Sequence, residues 1–416
     1  MKYLRLALFA SVATLGIVRA QDEERRAPPT EIPDFSNLED YIYEPKSTLT
    51  WGFRRLSGAK MSFSGGGRIS PITDAGDATT PNIARTYHDG SVNVDSRTTP
   101  RVDSSGNPAV DPSSNAAIQD PIARDGKTNT WNYSNQDQYL PEGYMVFHNY
   151  SADIVDTDVF QKTSEANSGV ELAMVRDMGK LFGTKLEWKI TGGVGLNDIS
   201  GETAHGVRAN ISALTDYYSL FGATPPEAPY AGPSSVTEIV RDASGNPVLG
   251  PSGSPISVSV DTSVLIGDRP AGRETVVTTD NTSVINRWKV KGSYFTFRLG
   301  PTLVYPITNR LRASISIGAA VSYAGTNYTV TETLVPDFGA DIEETITEGM
   351  YKLLPGYYAD ATLQFDLTER AGFYAGAVYQ STGSYDQSVS GDNSTYSTKI
   401  DLSNQNGLRA GMTVRF

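Results

Sequence analysis

The chain of 416 residues has no cysteine and only three histidines. Without cysteine it can form no disulfide and no thiolate-ligated metal site. Basic residues are outnumbered, 35 against 47 acidic ones. An acidic balance of this size argues against a nucleic-acid partner. Long apolar runs are missing as well. After Val18 nothing approaches the roughly 20 residues that a membrane-spanning helix needs.

The one apolar run, Leu6 to Val18, follows Lys2 and Arg5 and precedes the small-x-small triplet Val18-Arg19-Ala20. That layout reads as a secretory signal peptide over 1–20, with export through the Sec pathway. Its removal leaves 32 basic against 47 acidic residues, a net charge of −15. Residues 21–48 carry charge and proline and read as a periplasmic leader. From there to 416 the composition is rich in glycine (39) and tyrosine (22), a mix that suits strands and turns.

The strands announce themselves by period two. In KLEWKITGGVGL, Leu186, Trp188, Ile190, Val194 and Leu196 share one face, opposite Lys185, Glu187, Lys189 and Thr191. The alternation recurs in Tyr294 to Tyr305, Leu311 to Tyr323, Tyr357 to Leu367, Phe373 to Tyr379 and the final segment GLRAGMTVRF. Tight connections (GKLFG, PITNR, TER) alternate with long polar ones at about 71–169, 219–284, 332–349 and 389–397. Counting from a first strand near Ala59 to Phe63, all tight turns fall on one side and all long loops on the other. The fold class this predicts is all-β: a closed antiparallel up-and-down transmembrane β-barrel of eight strands. Tyr144 to Tyr150 and His205 to Ala213 also look extended, so ten to twelve strands stay open. A secreted β-sandwich alternates in the same way, but it explains neither the sidedness of the loops nor the terminal Phe.

The export signal, the eight alternating segments and GLRAGMTVRF together resemble the small outer-membrane β-barrel proteins of diderm bacteria. The resemblance implies a place in the outer membrane, with lipid as one partner and the barrel-assembly machinery as another. It implies that Leu408, Ala410, Met412, Val414 and Phe416 face lipid and that the terminal Phe is read during assembly. A first loop of nearly a hundred residues departs from the simplest members.

The faces opposite the lipid carry Lys60, Arg176, Lys185, Lys189, Arg298, Arg312, Arg409 and Arg415, with Glu171, Glu187, Asp360 and Asp366 as anions. Eight strands leave room only for side chains, and a lone buried charge is costly. These groups are expected to pair into a network that plugs the lumen; solvated charges in a wider pore are the alternative. Trp188, Trp288, Tyr305, Tyr323, Tyr357 and Tyr379 lie near strand ends, where aromatic girdles sit.

Catalytic signals are weak. In HNYS, His148 and Ser151 are three apart and fall on opposite sides of a straight strand. An omptin-like protease would need paired carboxylates and a His at the rim. Asp153, Asp156 and Asp158 lie near His148 without diagnostic spacing, and lack the glycine and remaining ligands of a calcium loop. The expectation is therefore no enzyme, no metal and no cofactor. The chain is expected to be a structural or surface-binding barrel whose loops meet a ligand or other cells, with a narrow porin-like channel for small solutes as the second reading.

Overall fold

The computed structural model describes residues 46–70, 73–104, 108–156 and 158–416. The expected signal peptide and nearly all of the leader lie outside the described residues. Eight strands form one closed ring in chain order: β1 (Ser47–Ser57), β2 (Asn167–Lys180), β3 (Glu187–Gly206), β4 (Val284–Pro306), β5 (Leu311–Leu334), β6 (Ile342–Asp366), β7 (Ala371–Ser381) and β8 (Gln405–Arg415). Every neighbouring pair is antiparallel. The ring closes where β1 pairs with β8, from Thr48↔Arg415 to Ser57↔Asn406. Two further backbone bonds join Ser47 and Phe416, at 3.1 and 2.9 Å.

The tight turns follow from local chemistry. In β4–β5 and β6–β7 the same device recurs. Thr308 Oγ1 accepts from the Arg310 and Leu311 amides, and Thr368 Oγ1 accepts from those of Arg370 and Ala371. A threonine three residues before the new strand thus takes up amides that the turn would leave unpaired.

β4, β5 and β6 contain 23, 24 and 25 residues. At about 3.3 Å per residue, β5 is about 80 Å long, far beyond a band of about 25 Å. Its outward face changes character partway. Ala313, Ile315, Ile317, Ala319, Val321 and Tyr323 come first, then Gly325, Asn327, Thr329, Thr331 and Thr333. The inward face does the reverse, with Ser314, Ser316 and Ser322 giving way to Tyr328, Val330 and Leu334, and with the buried Glu332 among them bonded to the Tyr396 hydroxyl. β4 inverts at the same level. Tyr305, Leu303, Leu299, Phe297 and Phe295 face out below, and Lys291, Lys289 and Arg287 face out above. Inside, Arg298 and Thr296 below give way to Val290, Trp288 and Val284 above.

Above the inversion the ring gives way to a cap packed as two sheets. The paths of β1, β7 and β8 break at Gly58-Ala59, Thr382-Gly383 and Leu402 to Asn404. Beyond the breaks lie the strands Lys60–Ile69, Ser384–Ser390 and Ser394–Asp401, which pair with one another. Their buried side chains, Met61, Phe63, Tyr385, Val389, Tyr396 and Ile400, form one core with Trp288, Val290, Tyr328 and Val330 of the opposite wall. Gly58 permits the first break. Its φ is +101°, and a Cβ there would lie 2.2 Å from the Asn404 carbonyl oxygen.

Three expectations are corrected. The first ring strand is Ser47–Ser57, so it includes Ser47 and Thr48 from the expected leader. The segment 59–63 falls beyond the Gly58 turn and belongs to the cap. Tyr144–Ile154 and Ala209–Ser219 add no strands to the ring, because they pair with each other outside it. The long connections are largely folded, since 219–284 holds the strand Gly272–Asp280 and 332–349 is mostly the ends of β5 and β6.

Gly58→Ala is expected to cost about 1–3 kcal/mol in backbone strain alone and to loosen the cap before the ring. Limited proteolysis should cut the cap faster while the heat-modifiable gel shift of the ring persists. Wild-type resistance in that variant would contradict the hinge.

Candidate functional site

Inside the lower half of the ring the charges sort into two tiers. In the upper tier, alternate strands each supply one group: Glu171 from β2, Arg298 from β4, Asp360 from β6 and Arg409 from β8. Inward residues of alternate strands stacking in a layer is a general property of small barrels. Arg298 Nη2 lies 3.0 Å from Glu171 Oε2, and Arg409 Nε lies 2.8 Å from Glu171 Oε1. Arg409 Nη1 lies 2.9 Å from Asp360 Oδ2, and Arg298 Nη1 lies 3.7 Å from it. Tyr374 of β7 donates its hydroxyl to Glu171 Oε1 at 2.7 Å. All four charged groups are buried.

Arg54 of β1 enters the same tier, with Nη2 3.5 Å from Thr296 Oγ1. Glycines make the room. A Cβ at Gly195 would stand 2.4 Å from Arg54 Cζ, and one at Gly193 would stand 3.2 Å from Arg298 Nε. The GGVG stretch of β3 therefore serves the guanidinium layer by lacking inward side chains. Arg54 precedes the expected first strand at 59–63 and so falls outside the expected network. The alternation Thr50, Gly52, Arg54 against Trp51 and Phe53 carried the signal.

The lower tier, toward the tight turns, joins Lys189 to Asp177 (3.0 Å) and Glu187 (3.1 Å), Arg312 to Asp366 (3.2 Å) and Arg415 to Asp366 (2.6 Å). Between the tiers lies a hydroxyl chain: Thr191 to Thr302 (2.6 Å), Thr302 to Ser316 (3.0 Å) and Ser316 to Tyr358 (3.0 Å). The remaining cavity is about 70 Å³, room for a few waters. Above the upper tier, Gln380 donates to Thr296 (3.1 Å) and Gln405 to the Tyr294 hydroxyl (2.7 Å). The apolar cap core follows.

Nine of the twelve expected network residues meet here: Glu171, Glu187, Lys189, Arg298, Arg312, Asp360, Asp366, Arg409 and Arg415. Three do not. Lys60 is exposed in the cap beyond Gly58. Arg176 is one residue out of phase with Glu171 and points outward. Lys185 is exposed in the turn before β3. The expected excess of cations shrinks accordingly. In the upper tier Arg54, Arg298 and Arg409 face Glu171 and Asp360; in the lower tier Lys189, Arg312 and Arg415 face Asp177, Glu187 and Asp366.

On the outside, Tyr305, Tyr323 and Tyr357 are exposed, and Trp188 and Tyr379 are half-buried. Trp288 is corrected. It sits on the inward face above the inversion, 1% exposed, with ring centroids 6.1 Å from Phe63 and 5.0 Å from Phe160. Along β8, Leu408, Ala410, Met412 and Phe416 are exposed on the outer face and Val414 is partly so, while Arg409 and Thr413 turn inward.

Outside the ring, the structure joins two loop residues that sequence spacing did not connect. His148 Nδ1 lies 2.6 Å from Asp89 Oδ2, and the His148 amide donates to Asp89 Oδ1 at 2.9 Å. The His148 ring stacks on Phe338 at 4.6 Å. His88 accepts from the Tyr150 amide at 3.0 Å, and burial holds its imidazole below the usual value. Asp153 pairs with Arg68 at 3.7 Å, and Asp156 accepts from the Asp158 and Arg208 amides. Among the described residues, no hydroxyl bonds to His148 Nε2, and no His/Asp/Glu cluster could hold a metal ion.

No protein-family model matches the chain, and no curated protein matches it in sequence. Solved structures similar to it include two outer-membrane proteins. One is the outer membrane protease OmpT from Escherichia coli, at 8% identity and TM-score 0.27, covering 89% of this chain and 97% of that one. The other is OmpT, an outer membrane protein of Vibrio cholerae, at 7% identity and TM-score 0.11, covering 90% and 99%. The expectation that the chain is not an enzyme is corrected here, because the first of these structures is a protease. A likeness at these scores assigns no catalytic residue to this chain.

Glu171→Gln should strand Arg298 and Arg409 in a buried site. Removing one partner of such a group costs about 3–5 kcal/mol. Urea unfolding followed by the heat-modifiable gel shift should show a clearly lower midpoint. An unchanged midpoint would show that the tier contributes nothing to ring stability.

Proposed function

We propose that the chain is an integral outer-membrane β-barrel protein whose side-chain-filled ring anchors a folded cap on one membrane face. The observation that carries this is the inversion of polarity along single strands of the closed ring. Below it, apolar side chains face out and charges face in, as lipid around a polar lumen requires. Above it, threonines and lysines face out around an apolar core, as water requires. Aromatic residues stand at the margins: Trp188, Tyr305, Phe365 and Phe373 near the tight turns, and Phe295, Tyr323, Tyr357 and Tyr379 near the inversion.

The filled lumen supports anchorage and surface binding over transport. Two paired tiers, a polar layer and the cap core stand in series across any path. The cap then presents the surface that meets a ligand or another cell. Its folded segments, including the buried Tyr87, Trp131, Phe147 and Tyr218 cluster, provide a stable platform for such contacts.

Protein reconstituted in planar bilayers should give no large, steady conductance. Stable openings of porin size would contradict the sealed ring and favour the channel reading.

A further inference from the structure

One sheet of the cap ends at the strand Gly272–Asp280. It pairs with Ala209–Ser219 on one side and, among the described residues, with no strand on the other. Every position from Glu274 to Thr279 is exposed, so both faces and the free edge are open. Val276 and Val277, one on each face, are 47% and 63% exposed. Free edges are ordinarily blunted by lysine, proline, a bulge or short length. This one has nine residues in unbroken register, with neither lysine nor proline. The charges at its start are engaged. Arg273 holds both oxygens of Asp216 at 2.6 Å, and Glu274 accepts from the Tyr217 hydroxyl at 3.2 Å.

The neighbouring ladder shows which backbone groups are left over. The Val155 amide donates to the Arg208 carbonyl at 2.9 Å, and the Leu220 amide to the Gly143 carbonyl at 3.1 Å. Residues of an antiparallel strand bond to its two neighbours alternately. Even-numbered residues from 208 to 220 therefore turn toward Tyr144–Ile154, and odd-numbered ones toward Gly272–Asp280. The partners of the odd ones are Gly272, Glu274, Val276, Thr278 and Asp280. The amides and carbonyls of Arg273, Thr275, Val277 and Thr279 thus point to the free edge, where no backbone group among the described residues meets them.

The strand is complementary to itself. A two-fold axis through an antiparallel pair sets one residue opposite its own copy. Placed at Val276, the midpoint, it sets Thr275 opposite Val277, Glu274 opposite Thr278 and Arg273 opposite Thr279, with no like charges facing. Arg273, Thr275, Val277 and Thr279 then exchange backbone bonds with the same four residues of the copy. An axis at Val277 would set Glu274 against Asp280, and one at Glu274 would set that residue against itself, both unfavourable.

We propose that two copies of this chain pair antiparallel through Gly272–Asp280, about a two-fold axis at Val276, so that two cap sheets become one. Strand addition of this kind takes affinity from backbone bonds and specificity from alternate side chains. Pairing at this edge is independent of the membrane-spanning reading.

Light scattering of the full chain in detergent should give a protein mass of two copies that falls toward one on dilution. Val276→Cys gives a sharper test, because the chain has no cysteine of its own. Val276 and its copy form a non-hydrogen-bonded pair, with Cα atoms about 4.5 Å apart, inside the range a disulfide spans. Mild oxidation with copper phenanthroline should link this variant into a dimer. Thr278→Cys, also exposed but displaced from its copy by roughly 13 Å along the strand, should stay unlinked. Thr275→Lys/Val277→Lys sets lysine against lysine and should weaken association about tenfold or more, while the heat-modifiable gel shift of the ring persists. A wild-type chain that stays single at micromolar concentration, even one whose edge takes up an unrelated extended peptide, would overturn the pairing. So would linkage of Thr278→Cys as readily as Val276→Cys, or a lysine variant with an intact ring that associates as wild type does.

Discussion

An unpaired backbone amide or carbonyl in hydrocarbon costs several kcal/mol, so a sheet placed in lipid can have no free edge. In this chain that constraint is met by the pairing of β1 with β8, Thr48 through Ser57 against Arg415 through Asn406. Closure at eight strands fixes a narrow interior, and the rest of the lower structure follows from it. Inward residues cannot reach bulk water there, so Glu171, Arg298, Asp360 and Arg409 must satisfy one another. The four sit on alternate strands because those positions fall in one layer. Gly193 and Gly195 keep the layer from overfilling. Such a network is poor evidence for net stability, since apolar residues could fill the same space. Its consequence is that the ring is plugged, and that losing any one partner is expensive.

On the membrane-spanning reading the same strands serve two solvents. β4 and β5 are continuous through the inversion, so the cap core and the charged lumen share one set of backbone ladders. Trp288 and Arg298 show the effect within ten residues of one strand. Both point inward, one into an apolar core and the other into an ion-paired layer. The breaks at Gly58 and Gly383 let the opposite wall leave the ring and cover that core. The cap is therefore a continuation of the wall and closes the lumen from above.

Much of this was legible in the sequence. Alternation in Leu311 to Tyr323 and in Tyr357 to Leu367 identified wall strands, and the sidedness of the tight turns gave the up-and-down order. Parity alone placed most of the lumen charges. Arg176 and Glu171 cannot share a face, being five residues apart along one strand, and Lys185 precedes its strand. Trp288 looked like a girdle residue because position near a strand end does not reveal which side of the inversion it occupies. Ser47–Ser57 and Lys60–Ile69 alternate equally well, and only the Gly58 turn separates the ring strand from the cap strand. The Asp89 and His148 contact spans 59 residues, a distance over which no periodicity operates.

On the membrane-spanning reading proposed above, one continuous strand crosses from lipid to water at Tyr323. A chain without cysteine permits the direct measurement, because single cysteines can be introduced along the outward face of β5 with no background. In sealed vesicles, Ile315→Cys, Ile317→Cys and Val321→Cys should resist a membrane-impermeant maleimide, and a fluorophore attached there should be quenched by lipid-chain quenchers. Asn327→Cys, Thr329→Cys and Thr331→Cys should react quickly and escape that quenching. A sharp change between positions 321 and 327 is the predicted result. Uniform reactivity along all six positions would contradict the account.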